Sequence, residues 1–168
     1  MIYNDFMNMA LMKAQQANCA KGKVGAVIVL NNKVLGKGNN SVPNNCKPCT
    51  SEDCLRKKYK LKSGECQEKC RAVHAEQNAI LNCLKNGKDI RGSTIYVTKS
   101  PCMICAKLII NSGISKVVYA IKYPDLEAFK ILEEAGVMTE YYESGQNLIK
   151  WKNIKKRRVC YEMEKKYV

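Results

Sequence analysis

Four residues of this chain have the types and spacing of a metal site with a proton carrier beside it. His74, the single histidine among 168 residues, stands in the stretch RAVHAEQNAI two positions before Glu76, and Cys102 and Cys105 stand three apart in SPCMIC. A lone histidine at a helix start is more often a partly buried packing residue than a ligand, so by itself it argues little. The cysteine pair changes that weighing. Two cysteines three apart at a helix start aim both sulfurs at one point, where the helix dipole and free amides favour the metal-binding thiolate. One imidazole and two thiolates give three ligands for Zn2+ and leave the fourth tetrahedral position open for water, the pattern of a catalytic zinc rather than a structural one. Glu76 can reach that water without binding metal. Zinc lowers the water's pKa to about 7, and the carboxylate can take its proton and carry it onward. The chemistry this predicts is hydrolysis.

For these side chains to meet, two helix starts must lie at the same end of a sheet. Apolar positions from Phe6 to Ala14 predict a first helix over about 3–18, entered after an Asn4 or Asp5 cap. KVGAVIVLNNKVLGKG reads as a hairpin turning at Asn31–Asn32. Residues 39–70 are rich in Asn, Pro, Ser, Cys and Lys with no apolar period, a long irregular stretch of the kind that is functional or pinned by something else. From Ala72 the pattern alternates: a helix near 74–86, a strand at 93–98, a helix from Cys102 to near Gly113 with Pro101 in its first turn, a strand at 116–121, a helix from Asp125 to Gly136, and the short strand VMTEYY. Such alternation predicts an α/β domain whose sheet is covered on both faces, with parallel pairing in its later part. Right-handed crossovers then bring the starts of the helices at His74 and Cys102 to one end of that sheet.

The bulk properties narrow the field without choosing within it. The length suits one domain, and the longest apolar runs, such as VGAVIVL, are strand-sized and too short for a bilayer. The amino terminus lacks a signal-peptide pattern, so a cytoplasmic location is expected and no membrane partner. In a reducing compartment, ten closely grouped cysteines point to metal or catalysis rather than disulfides. Five of them (Cys46, Cys49, Cys54, Cys66, Cys70) crowd the irregular segment, whereas Cys83 on an apolar helical face and Cys160 in the tail read as packing or incidental residues. The net charge of +14 invites a polyanion partner, but much of it collects in a solvated tail, 141–168, that also holds the single Trp.

His-x-Glu followed by Pro-Cys-x-x-Cys resembles the known signature of zinc-dependent nucleobase deaminases. The resemblance extends to CRAVHAEQNAI, GSTIYVTKSPCMICAKLIINSGISKVVYA, KVGAVIV and YPDLEAFKILEEAGV, which are similar to the deoxycytidylate (dCMP) deaminase family over about residues 5–140. It implies a three-layer α-β-α, cytidine-deaminase-like fold with a central mixed sheet of about five strands. The deaminase domain would span 1–140, with 39–70 as an inserted loop and 141–168 as a basic extension. It implies that His74, Cys102 and Cys105 hold zinc and that Glu76 shuttles protons: hydroxide adds to C4 of the pyrimidine, Glu76 protonates N3 and then the departing ammonia, and dUMP results, feeding thymidylate synthesis. The Ala75 amide would bind the base carbonyl, the Ser100 carbonyl would receive the exocyclic amine, Asn40 would contact the nucleotide, Val24 would line the sugar pocket, and Tyr123 would lie by the base or phosphate. The chain departs from the family at Gly38-Asn39-Asn40-Ser41, where the family reads Gly-Tyr-Asn-Gly. Lys23 and Arg56 are phosphate candidates on charge alone. The family also implies a second, structural zinc, for which Cys19 and Cys49 match best and Cys54, Cys70 and Cys46 compete. It further implies dCTP and dTTP as regulators, and a homo-oligomer, with a hexamer favoured.

Three other readings compete with dCMP: a deaminase of another cytosine nucleotide such as dCTP, a nucleic-acid editor, and a non-enzymatic zinc module. An editor needs a basic groove with aromatic stacking positions around the site, and here the charge lies in the tail. A structural module needs a fourth protein ligand beside His74, and the sequence has no second histidine.

Overall fold

The computed structural model describes residues 2–62 and 64–143, and no helix among them is long and apolar enough to cross a membrane. Helix α1 (Ile2–Gln15) leads into a hairpin of β1 (Gly25–Leu30) and β2 (Lys33–Asn39). Asn31 and Asn32 both take positive φ, 49° and 60°, as a two-residue hairpin turn requires. A long loop, in which the described residues form the four-residue helix α2 (Leu55–Lys58) and one 3-10 turn (67–69), precedes α3 (Ala75–Lys85). Then β3 (Thr94–Val97), α4 (Met103–Asn111), β4 (Lys116–Tyr119), α5 (Leu126–Glu134) and β5 (Met138–Tyr141) alternate.

The strands form one five-stranded sheet in the order β2-β1-β3-β4-β5. β1 is antiparallel to both β2 and β3, whereas β3, β4 and β5 run parallel, so the sheet is mixed as expected. Side chains alternate across β1, and that alternation divides the core into two layers. Ala26 and Ile28 join Ile95, Val97 and Val117 against α3, α4 and α5. Val27 and Val29 join Tyr96 and Val118 on the opposite face against Phe6, Met7, Ala10 and Leu11 of α1. The result is the three-layer α-β-α arrangement expected from the sequence.

Several boundaries differ from the sequence expectation. α1 starts at Ile2, so Asp5 lies within its first turn rather than capping it; there the carboxylate complements the helix dipole. The helix ends at Gln15 and not Ala17–Asn18, because Gln16 and Ala17 bond to carbonyls three residues back, a tightened closing turn. α4 starts at Met103 with Cys102 as its N-cap, which leaves Pro101 outside the first turn. Cys83 packs as expected: it is buried on α3 against Gly36. The basic tail from 144, with Trp151 and Cys160, lies outside the described residues.

Candidate active site

The site is built at the end of the sheet where β1, β3 and β4 deliver their loops. His74 is the extended N-cap of α3, and its backbone N–H donates to Gln77 Oε1 at 2.8 Å, which fixes the start of the helix. Val73 pairs with Ser41 as an isolated bridge, and the Asn78 side chain donates to the Asn39 carbonyl and Ser41 Oγ, so the first turn of α3 is sewn to the end of β2. Helix and strand approach so closely there that a Cβ on Gly38 would stand 2.2 Å from the Ala75 carbonyl oxygen. Only glycine permits this contact. Across the sheet, Cys102 caps α4 and Cys105 lies one turn further in; both are buried.

His74 Nδ1 lies 3.4 Å from Cys102 Sγ and 3.4 Å from Cys105 Sγ, and the three ligand atoms fall within 4.8 Å of one another. Tetrahedral zinc with its usual bond lengths separates an imidazole nitrogen from a thiolate sulfur by about 3.5 Å, so this donor set fits the ion in both chemistry and spacing. A hydrogen bond from the Cys105 thiol holds Cys102 down at about 4, with His74 and the Cys105 amide adding to the effect. Cys105, as the donor in that pair, is pushed well up, and the hydrogen bond with Cys102 raises His74. Glu76 is 4 % exposed, and burial lifts its carboxyl to about 7 against the pull of its own backbone amide and of His74. A buried acid near neutrality beside a metal-ligand cluster suits reversible proton transfer at physiological pH.

A cavity of about 180 Å³ opens over these groups, with His74, Glu76 and Cys102 in its lining. Val24, Asn40, Ala75, Ser100 and Tyr123, the residues predicted to meet substrate, all line it too. Asn40 is buried and largely committed to the wall: Oδ1 accepts from the Val24 amide and Nδ2 donates to the Gly22 carbonyl, each at 2.8 Å. Ser100 Oγ accepts from the Tyr123 amide at 2.7 Å, and the Tyr123 hydroxyl is bonded by the Gly64 amide of the long loop. The two phosphate candidates are placed differently from their expectation. Lys23 is not among the residues lining the cavity, and its ammonium donates to the Gln15 carbonyl at 3.0 Å. Arg56 reaches the cavity but is buried, and its guanidinium donates to the carbonyls of Lys62, Glu65 and Cys66, so it is the polar pin of the loop. The cations that line the cavity besides Arg56 are Lys21, Lys69, Arg71 and Lys99. Charge in the sequence did not separate Lys21 from Lys23, but Lys99, adjacent to Ser100 at the end of β3, carried a positional signal.

Cys19, Cys49, Cys54 and Cys70 share one wall of the same cavity. Burial raises the Cys49 thiol first of all, then its hydrogen-bonded neighbour Cys54, with Cys19 and Cys70 adding to the effect. Cys46 is exposed instead. Among the described residues, the group tight enough to ligate as it stands is His74, Cys102 and Cys105.

Known proteins share this arrangement of sequence and fold. The family model of the cytidine and deoxycytidylate deaminase zinc-binding region matches residues 2–121. A deoxycytidylate deaminase of Mycobacterium phage D29 is 40% identical over 119 residues, covering 68% of this chain and 90% of its own. That of Saccharomyces cerevisiae is 35% identical over 142 residues, covering 82% of this chain; the chain spans only 43% of the yeast protein's length. Among solved structures, the dCMP deaminase of cyanophage S-TIM5 in complex with dCMP and dUMP superposes with a TM-score of 0.69 at 30% identity, covering 84% of this chain and 96% of the other.

Proposed function

The chain belongs to the cytidine and deoxycytidylate deaminase zinc-binding family, and on that premise we propose that it hydrolyses dCMP to dUMP and ammonia. The observation that carries this reading is the convergence of His74 Nδ1 with the sulfurs of Cys102 and Cys105 at a cavity lined by His74, Cys102 and the buried Glu76. Zinc held by those three ligands supplies Lewis acidity that lowers the pKa of water to about 7. The chain's own residues do the rest. Glu76 takes the proton of the attacking water and delivers it to N3 of the pyrimidine, then takes the proton of the new C4 hydroxyl and passes it to the amine as the C4–N bond breaks and the C4 carbonyl forms. Its pKa near 7 lets it alternate between base and acid at neutral pH. The Ala75 amide, one of the free N–H groups at the α3 N-terminus, donates to the base carbonyl, and the Ser100 carbonyl accepts from the exocyclic amine. Val24 and Asn40 border the sugar, Asn40 chiefly by fixing the backbone of 22–24, and Tyr123 closes the far side. The phosphate falls to Lys21, Lys69, Arg71 and Lys99, which replace Lys23 in that role.

A second, structural zinc on Cys19, Cys49, Cys54 and Cys70 is part of the proposal, supported by the neighbourhood the four thiols share. So are a cytoplasmic homo-oligomer, with a hexamer favoured, and regulation by dCTP and dTTP, supported by the family resemblance. The test is ammonia release from dCMP, dCTP, deoxycytidine and single-stranded DNA under equal conditions. dCMP should be far the best substrate. Equal turnover of deoxycytidine would make this a nucleoside enzyme, and preference for the DNA would make it an editor.

A further inference from the structure

Cys102 sits in a loop, and a loop must be held still if its sulfur is to stay at ligand distance. The segment 100–103 is stitched to the segment 121–125 by three successive bonds. The Ser100 amide donates to the Ile121 carbonyl at 2.8 Å, the Tyr123 amide to Ser100 Oγ at 2.7 Å, and the Met103 amide to Asp125 Oδ2 at 2.9 Å. Asp125 is also the N-cap of its own helix, Oδ1 accepting from the Ala128 amide at 3.1 Å. One carboxylate therefore closes the starts of two helices, α4 and α5.

Free amides at the start of α4 are in short supply, and the structure divides them. The Cys105 amide goes to the Cys102 sulfur and the Met103 amide, next to Cys102 in sequence, to Asp125, while the first ordinary helical bond runs from the Ala106 amide to the Cys102 carbonyl. We propose that Asp125 is a positioning residue for the zinc site: by capping α4 from the neighbouring helix it fixes the Cys102–Met103 peptide, and with it both sulfurs, in ligand geometry. This rests on the reading of His74, Cys102 and Cys105 as zinc ligands. Partners that orient a ligand from outside are worth about 10- to 100-fold in metal affinity or activity.

Asp125→Ser separates this role from the stability of α5. Serine is a good N-cap for its own helix but has one short hydroxyl and cannot span both amides. The control is Leu132→Ala, which empties a fully buried position of α5 without touching Asp125. Zinc affinity of the full chain is measured by competition with a chromophoric chelator, and the thiolate-to-cobalt charge-transfer absorption is recorded on the Co2+-substituted protein. Asp125→Ser should bind zinc about 10- to 100-fold more weakly with a weakened or shifted cobalt band, whereas Leu132→Ala should melt lower yet bind within a few-fold of the parent. Parent-like affinity and spectrum in Asp125→Ser overturn the proposal, and so does an equal loss of affinity in Leu132→Ala. A parent chain that takes up no zinc overturns the ligand reading itself and this inference with it; parent binding with an unchanged Asp125→Ser overturns this inference alone.

Discussion

Replacing Gly38 with alanine should damage the site from the side of the strand. Gly38 pairs with Ala26 in the hairpin and faces the first turns of α3, where an added methyl would stand 2.2 Å from the Ala75 carbonyl oxygen and 2.3 Å from the Ala79 amide. Both are backbone atoms, so no side chain can swing away. Ordinary contact begins at 3.4 Å, and α3 must therefore retreat by about 1.2 Å. That helix starts immediately after His74 and carries Glu76 in its first turn. Overpacking of this kind costs roughly 1–3 kcal/mol, or about 2–12 °C in Tm for a domain of this size. A displacement near 1 Å at reacting groups can cost about 10²-fold in rate, so kcat/KM for dCMP should fall by about that factor, and zinc affinity with it. The assay pairs initial rates with zinc content and thermal melting. Gly22→Ala serves as control for zinc content and melting, since its methyl would find nothing nearer than Lys99 Nζ at 3.8 Å. A Gly38→Ala protein with parental rate, zinc and melting would refute the close approach of α3 to β2 as the device that places His74.

The cations on the cavity wall predict a substrate effect: Lys21→Ala with Lys99→Ala should narrow the preference for dCMP over deoxycytidine by about 10²-fold, at roughly 1.5–3 kcal/mol per charge-assisted bond, whereas Lys23→Ala should leave it unchanged. Asn40→Ala removes partners from the Val24 amide and the Gly22 carbonyl, and should lower stability by about 1–3 kcal/mol in denaturant melts. Elemental analysis of reduced, freshly purified protein should give two zinc ions per chain. A firm value of one would return Cys19, Cys49, Cys54 and Cys70 to free thiols.

The parts of this molecule legible in its sequence are those written in local period and short spacing. The alternation of strands and helices follows from apolar period, and the turns at Gly87, Gly113 and Gly136 follow from positive φ just past three helices. The clustering of His74, Cys102 and Cys105 was legible because CxxC and HxE each fix geometry within one helical turn. What was not legible depends on contacts between loops. Lys21 and Lys23 differ by two positions in a segment without regular structure, so no period told which faces the cavity. Arg56 reads as a ligand for phosphate until the loop carbonyls that surround it are known. Asp125 reads as an ordinary helix cap, since its bond to Met103 crosses 22 residues.

The central claim is that Glu76 moves protons for a zinc site it does not help to build. The measurement that tests it most directly is the turnover of dCMP by Glu76→Gln at matched zinc content. Glutamine preserves shape and cannot carry the proton, so zinc should stay at the parental level while kcat falls by at least 10²–10⁴-fold. Near-parental turnover in the zinc-loaded variant would contradict the account.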